Sequence, residues 1–300
     1  MALILASLAS LAPAVARAAA PSCPTTDGAV LIPADAQTAV AVTLGSLTRT
    51  TPWRDYEAAL TRDANARQTL DALSRCNVEL AAIDEVWMGY GESAGADDSF
   101  VVVARGPGLG EEATLRCLAG ALRSVGGVAP TLTRERCANA MTLRGDTTIL
   151  GLDADHLAVV SKRWKAEVVR RAATRPRTSK VASLALQRGA HRHLRVAALV
   201  DASMQRELSG LGAELRALSG SFEFGARVRG ELVLTAASAA DASALQTTLV
   251  GYLGLARGMA GSAGLPPAIF DDVSIRERGA DVSVALDLSY QDLRAAAAIP

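Results

Sequence analysis

Asp153, Asp155 and His156 fall within one short stretch of the chain. Two carboxylates and an imidazole so placed have the donor types of a metal site or of general acid–base catalysis. They also stand between two apolar runs, Thr147–Leu152 and Leu157–Val160, where a hairpin needs Asp side chains to accept from nearby backbone N–H groups. The turn is the simpler reading. His191 and His193 are a second candidate pair for a metal, because residues two apart on a strand share a face. No acidic or Cys ligand lies close to them in sequence, and Arg192 and Arg195 add positive charge, so an exposed basic strand edge is expected instead. Arg105-Gly106-Pro107-Gly108-Leu109-Gly110 sits between a strand and a helix, where phosphate-binding loops occur. Its spacing is not G-x-G-x-x-G, and Glu111 and Glu112 at the helix start repel an anion. The sequence holds no H-E-x-x-H. No catalytic residue, metal or cofactor is therefore assigned from sequence.

One charge pattern rises above background. From Lys162 to Arg195 the chain has 11 Lys or Arg and one acidic residue, Glu167, within a protein of zero formal net charge. Lys162, Arg163, Lys165, Arg170, Arg171, Arg175, Arg177, Lys180, Arg192 and Arg195 make up a candidate anion-binding patch. Its partner would be an anionic envelope polymer, a lipid head group or an acidic protein. The alternative is that these cations pair with the protein's own carboxylates. Nucleic acid is not expected, because the chain is not basic overall and aromatics are only 4% of it, too few for base stacking.

Residues 1–20 read as a signal peptide. Ala2–Ala16 is apolar, and Ala16-Arg17-Ala18 and Ala18-Ala19-Ala20 resemble cleavage sites, although no Lys or Arg precedes the run. The run is shorter than the roughly 20 residues of a membrane span. The expected mature protein is exported to the periplasm or beyond and does not span a membrane. Ala20-Pro21-Ser22 before Cys23 does not match a lipid-attachment site, so no lipid anchor is expected there. In an oxidising compartment Cys23, Cys76, Cys117 and Cys137 read as disulfides, with three possible connectivities. Cys76 ends one expected helix and Cys117 lies two turns into another that starts beside it. That arrangement favours Cys76–Cys117 and leaves Cys23 and Cys137 as the second pair.

The elements that would position these residues follow from periodicity. A helix is expected over Thr51–Cys76, with Trp53, Tyr56, Leu60, Leu70 and Leu73 mostly on one face. Phe100–Ala104 reads as a buried strand, Trp164–Ala173 and Ala239–Met259 as helices, and Ser219–Arg227 with Gly230–Thr235 as a hairpin. Each half runs strand, helix, two strands, helix, strand. The expected fold is α+β: two tandem ferredoxin-like (split βαβ) units, with mainly antiparallel sheets and helices on one face. The expected divisions are 21–173, a basic connection over 174–192 that crosses the surface, and 193–300.

Ile32-Pro33-Ala34-Asp35-Ala36, Cys76, Ile83-Asp84-Glu85-Val86, the apolar strand ending in Arg105-Gly106, and Cys117 together resemble a pattern of exported bacterial envelope proteins, often lipoproteins. The resemblance covers about residues 30–125. It implies an envelope location and tandem α+β units, and no reaction. On these grounds the expected function is non-catalytic binding or scaffolding in the envelope, with an exported hydrolase as the alternative.

Overall fold

Val101, Val102 and Val103 put β-branched side chains on both faces of one strand, and such a strand needs cover on both sides. The computed structural model, which describes residues 22–91, 99–126, 130–143, 146–188, 193–260 and 267–296, supplies it. The strands are β1 (Thr38–Val42), β2 (Glu85–Gly91), β3 (Ser99–Arg105), β4 (Leu132–Glu135), β5 (Ala138–Thr142), β6 (Thr147–Gly151), β7 (His156–Ser161), β8 (Leu194–Leu199), β9 (Leu215–Glu223), β10 (Arg227–Ala236), β11 (Val273–Arg278) and β12 (Asp281–Ser289). They form one 12-stranded sheet in the order β11-β12-β10-β9-β8-β1-β2-β3-β7-β6-β5-β4. The helices are α1 (Gly28–Leu31), α2 (Leu44–Leu47), α3 (Thr51–Leu60), α4 (Ala64–Arg75), α5 (Glu112–Gly126), α6 (Lys162–Ala173), α7 (Lys180–Leu186), α8 (Ala202–Glu207), α9 (Ala239–Met259) and α10 (Tyr290–Ala296).

The α+β class and the antiparallel pairing hold. The spatial order differs from that of a split βαβ unit, in which the two strands joined by the crossover helix are parallel and hold a third strand between them, because β1 and β2 are direct antiparallel neighbours. Here every pair is antiparallel. The sheet also runs without a break from the first half into the second through β1 and β8, with Val40 opposite Val196. Helices cover both faces rather than one. α1, α6 and α7 seal the face of Ala39, Trp87, Val101, Val103, Ala158, Val160 and Ala197. α4 and α5 lie over the opposite face, and by cross-strand register α9 covers that same face further along, against Leu234 and Val282.

The single helix expected over Thr51–Cys76 is two. Thr50 caps α3 through Trp53 N–H, and Asp63 accepts from Ala66 N–H at 2.7 Å and starts α4 anew. Trp53 and Tyr56 are not core. Tyr56 is 56% exposed, and α3 instead reaches the end of the chain, where Tyr290 Oη donates to Asp55 at 2.9 Å. The 174–192 connection is not all surface: Val181, Ala182 and Ala185 of α7 are fully buried against β1 and β8.

Disulfides join Cys76 to Cys117 and Cys23 to Cys137, with Cα atoms 5.5 and 4.9 Å apart. The first ties the end of α4 to α5. Its loop spans 41 residues, so the Cys76→Ser/Cys117→Ser variant is expected to lose about 3–4 kcal/mol in the chain-entropy account. Urea denaturation of the two proteins checks this; equal midpoints would show that the bridge does not constrain the unfolded chain.

Candidate functional site

Strand register gathers charged groups on one face of the sheet. Glu85 pairs with Arg105 across β2 and β3, and Arg105 with His156 across β3 and β7. One row further in, Arg195 of β8 faces Ala41 of β1, and Ala41 faces Trp87 of β2. Because residue 41 is an alanine, the long Arg195 side chain crosses β1. Its Nη2 donates to Glu85 Oε1 at 2.6 Å, and its guanidinium lies over the Trp87 ring at 5.2 Å. The Arg195 side chain is only 4% exposed, and its Nε has no hydrogen-bond partner among the described residues. A buried donor left unmatched costs about 1–3 kcal/mol.

These groups line a pocket of about 380 Å³, closed by Thr26, Asp27 and Gly28 at the start of α1 and by Leu186 at the end of α7. Asp27 caps α1 by accepting from Ala29 N–H at 2.9 Å. Gly28 is required there, since a Cβ would overlap the Trp87 ring. Among the described residues the Arg105 side chain has only a long, exposed contact with Asp84 at 3.7 Å, and such pairs contribute at most about 1 kcal/mol.

The Asp153–Asp155 turn positions His156 in this pocket. Asp153 Oδ1 accepts from the N–H groups of Asp155 and His156, each at 2.8 Å, and faces the His156 ring Nδ1 at 2.9 Å. Burial raises the Asp153 carboxyl's pKa, but its hydrogen bonds and the His156 charge outweigh that, leaving it below the ordinary aspartate value. Asp155 accepts from Gly108 N–H at 3.1 Å. These carboxylates are thus engaged by backbone, as a turn demands. The glycine-rich loop closes on the turn: Gly106 N–H donates to Asp155 O at 2.9 Å and Gly110 N–H to Ala154 O at 3.0 Å. Gly106 and Gly110 serve close packing, and Gly108 takes a positive φ of +70°.

His193 is held by Phe224. Its Nδ1 accepts from Phe224 N–H at 2.9 Å, and its ring stacks on Phe224. His191 lies outside the described residues. Burial lowers the His193 pKa below the ordinary histidine value, against an opposing pull from Glu223. Since the folded value is depressed, the neutral ring adds stability above the ordinary histidine pKa. That stability is lost as pH falls through the folded value. An NMR titration is expected to place His193 below a histidine in the denatured protein; a value at or above it would contradict the Phe224 bond.

The basic segment is dispersed. Lys162 pairs with Asp146 at 3.1 Å, Arg163 with Asp35 at 3.3 Å, Lys165 with Glu135 at 2.5 Å and Arg170 with Glu167 at 2.7 Å. Arg171 is buried, and Arg195 lies on a central strand rather than an edge. Arg175, Arg177 and Lys180 remain exposed, and Arg192 lies outside the described residues. The chain's own carboxylates thus take up most of the expected patch.

Glu85, Arg105, Trp87 and Asp27 were not among the sequence candidates. Their signal was parity: Glu85 and Arg105 sit at strand ends, in step with the buried Trp87 and Val103. Among the described residues no group of three or more His, Cys, Asp or Glu is placed to hold a metal, and no helix is long and apolar enough to cross a membrane. Comparison of the chain with protein-family models, curated proteins and solved structures gives no match.

Proposed function

We propose that this protein is an exported, non-catalytic binding protein of the bacterial envelope, and that its ligand is a small organic acid held in the Glu85–Arg105–His156–Arg195 pocket. The observation that carries this reading is the presence of two guanidiniums, Arg105 and Arg195, in the lining of one pocket. Glu85 is engaged by Arg195 and Asp27 by the α1 N-terminus. The donors left over are cationic, which favours a carboxylate. Trp87, Val103 and Leu186 offer apolar walls for its carbon body.

Two disulfides fit an oxidising compartment, and so fit export after removal of residues 1–20. We also infer that the chain arose by duplication. The orders β1-β2-β3-β7-β6 and β8-β9-β10-β12-β11 repeat outward from the central β1–β8 pair. A second reading, an exported hydrolase, is favoured by one feature: an imidazole oriented by a carboxylate, His156 with Asp153, facing a pocket.

Calorimetry with a panel of small carboxylic acids tests the binding reading. Saturable one-to-one binding is expected, weakened about 10- to 100-fold in Arg195→Met, the range of one charged hydrogen bond, and partly restored in Arg195→Lys. Turnover of an ester or amide panel that vanishes in His156→Ala would favour the hydrolase. Failure of every acid to bind would end the binding reading.

A further inference from the structure

The two faces of β3 and β7 are unequally covered. On the side of α1, α6 and α7, Val101, Val103, Ala158 and Val160 are 0–2% exposed. On the other side, Ala104, Leu157 and Val159 are only partly buried, although α4 and α5 lie over them. The apolar side chains there form two clusters, one around Cys76, Val78, Ile83 and Leu109, the other around Leu115, Met141 and Ile149, with Leu118 and Leu157 packed against both. Between α4, α5 and the sheet lies a cavity of about 500 Å³. Ala72 and Leu73 of α4, Leu118 and Ala121 of α5, and Leu157 and Val159 of β7 are among its walls. Among the described residues the lining has no aromatic ring and no charged group, and its one polar side chain is Gln68. The volume is within the range of small-molecule sites, about 300–1,000 Å³. An aliphatic wall left open to water is unfavourable until an apolar group fills it.

Gln68 also lines a polar cleft on the outer side of α4, with Arg67, Asp71, Ser74 and Arg75. The cavity's single polar edge thus opens beside two guanidiniums and one carboxylate. The Cys76–Cys117 bridge joins the two helical walls at one end.

We propose that this cavity binds a single-chain anionic amphiphile, its alkyl chain between α4, α5 and the sheet and its carboxylate at Arg67 and Arg75. The cavity lies on the sheet face opposite the polar pocket, so this inference does not depend on the organic-acid reading.

Displacement of the fluorescent probe N-phenyl-1-naphthylamine by dodecanoate tests it. One-to-one displacement is expected. Filling the cavity from α5 by Ala121→Phe, or independently from α4 by Ala72→Phe, should weaken binding by at least about tenfold. Circular dichroism identifies the variant that keeps its fold. The Arg67→Ala/Arg75→Ala variant should weaken dodecanoate several-fold and leave dodecanol unchanged, while Arg195→Met changes neither. Binding unaffected by a folded cavity-filling variant, or at several molecules per chain, would overturn the proposal. So would equal loss of the acid and the alcohol. Co-flotation with anionic phospholipid vesicles without dodecanoate binding would point to a membrane surface as the source of the acyl chain and contradict a soluble single-chain ligand.

Discussion

Replacing Arg171 by Met is expected to destabilise the fold by about 3–5 kcal/mol, the range for breaking a buried charge away from its partners. Arg171 is 3% exposed. Its Nε donates to Val30 O and its Nη2 to Arg177 O, both at 2.7 Å, and its Nη1 approaches Glu167 at 3.4 Å. One guanidinium therefore ties α1, α6 and the segment before α7 together. Methionine keeps much of the volume but leaves two carbonyls without their donor, and each such loss costs about 1–3 kcal/mol. Arg171→Glu should do worse, because it buries a carboxylate against carbonyl oxygens and Glu167. Arg175→Glu and Arg177→Glu are the contrast: both side chains are exposed, so each is expected within about 0.5 kcal/mol of wild type. Urea denaturation of the four variants decides. Similar small changes in all four would mean that the Arg171 side chain is solvated.

Gly110→Ala is expected to cost more than about 3 kcal/mol, beyond ordinary overpacking. A Cβ at this position would overlap the carbonyl oxygens of both Asp153 and His156. Both obstacles are backbone and cannot rotate aside. The turn would have to move, and with it the His156 ring. Gly108→Ala is the control. Its φ is +70° but the nearest atom to a Cβ is 3.9 Å away, so only the left-handed strain of about 1–2 kcal/mol is expected. Thermal melting orders the two, and the His156 ring signals should shift only in Gly110→Ala. A variant Gly110→Ala as stable as wild type would mean that the loop and the turn are not in contact.

These two residues mark what sequence reading could reach. Periodicity placed α9 at Ala239–Met259, and turn chemistry identified Asp153–Asp155, because both are local properties. The pairing of Cys76 with Cys117 followed from helix ends lying side by side. Strand order did not follow, because alternation says which face a residue takes and not which strand lies beside it. Reading β8 as the edge of a separate unit put Arg195 in solvent. Placing Arg171 in the anion-binding patch missed that Trp164, Val168 and Arg171 repeat at i, i+4 and i+7, which is one face of a helix. The pocket was hidden for the same reason. Its parts come from β2, β3, β7, β8 and the start of α1, and only the sheet brings them together.

The most direct test of the pocket's role is a heteronuclear NMR titration with small carboxylic acids that follows the Arg195 Nε–H and Trp87 indole N–H signals. One class of acid is expected to move both signals together and saturably, because Arg195 and Trp87 both line the pocket. Saturable binding that leaves both signals in place would put the ligand elsewhere and contradict the account.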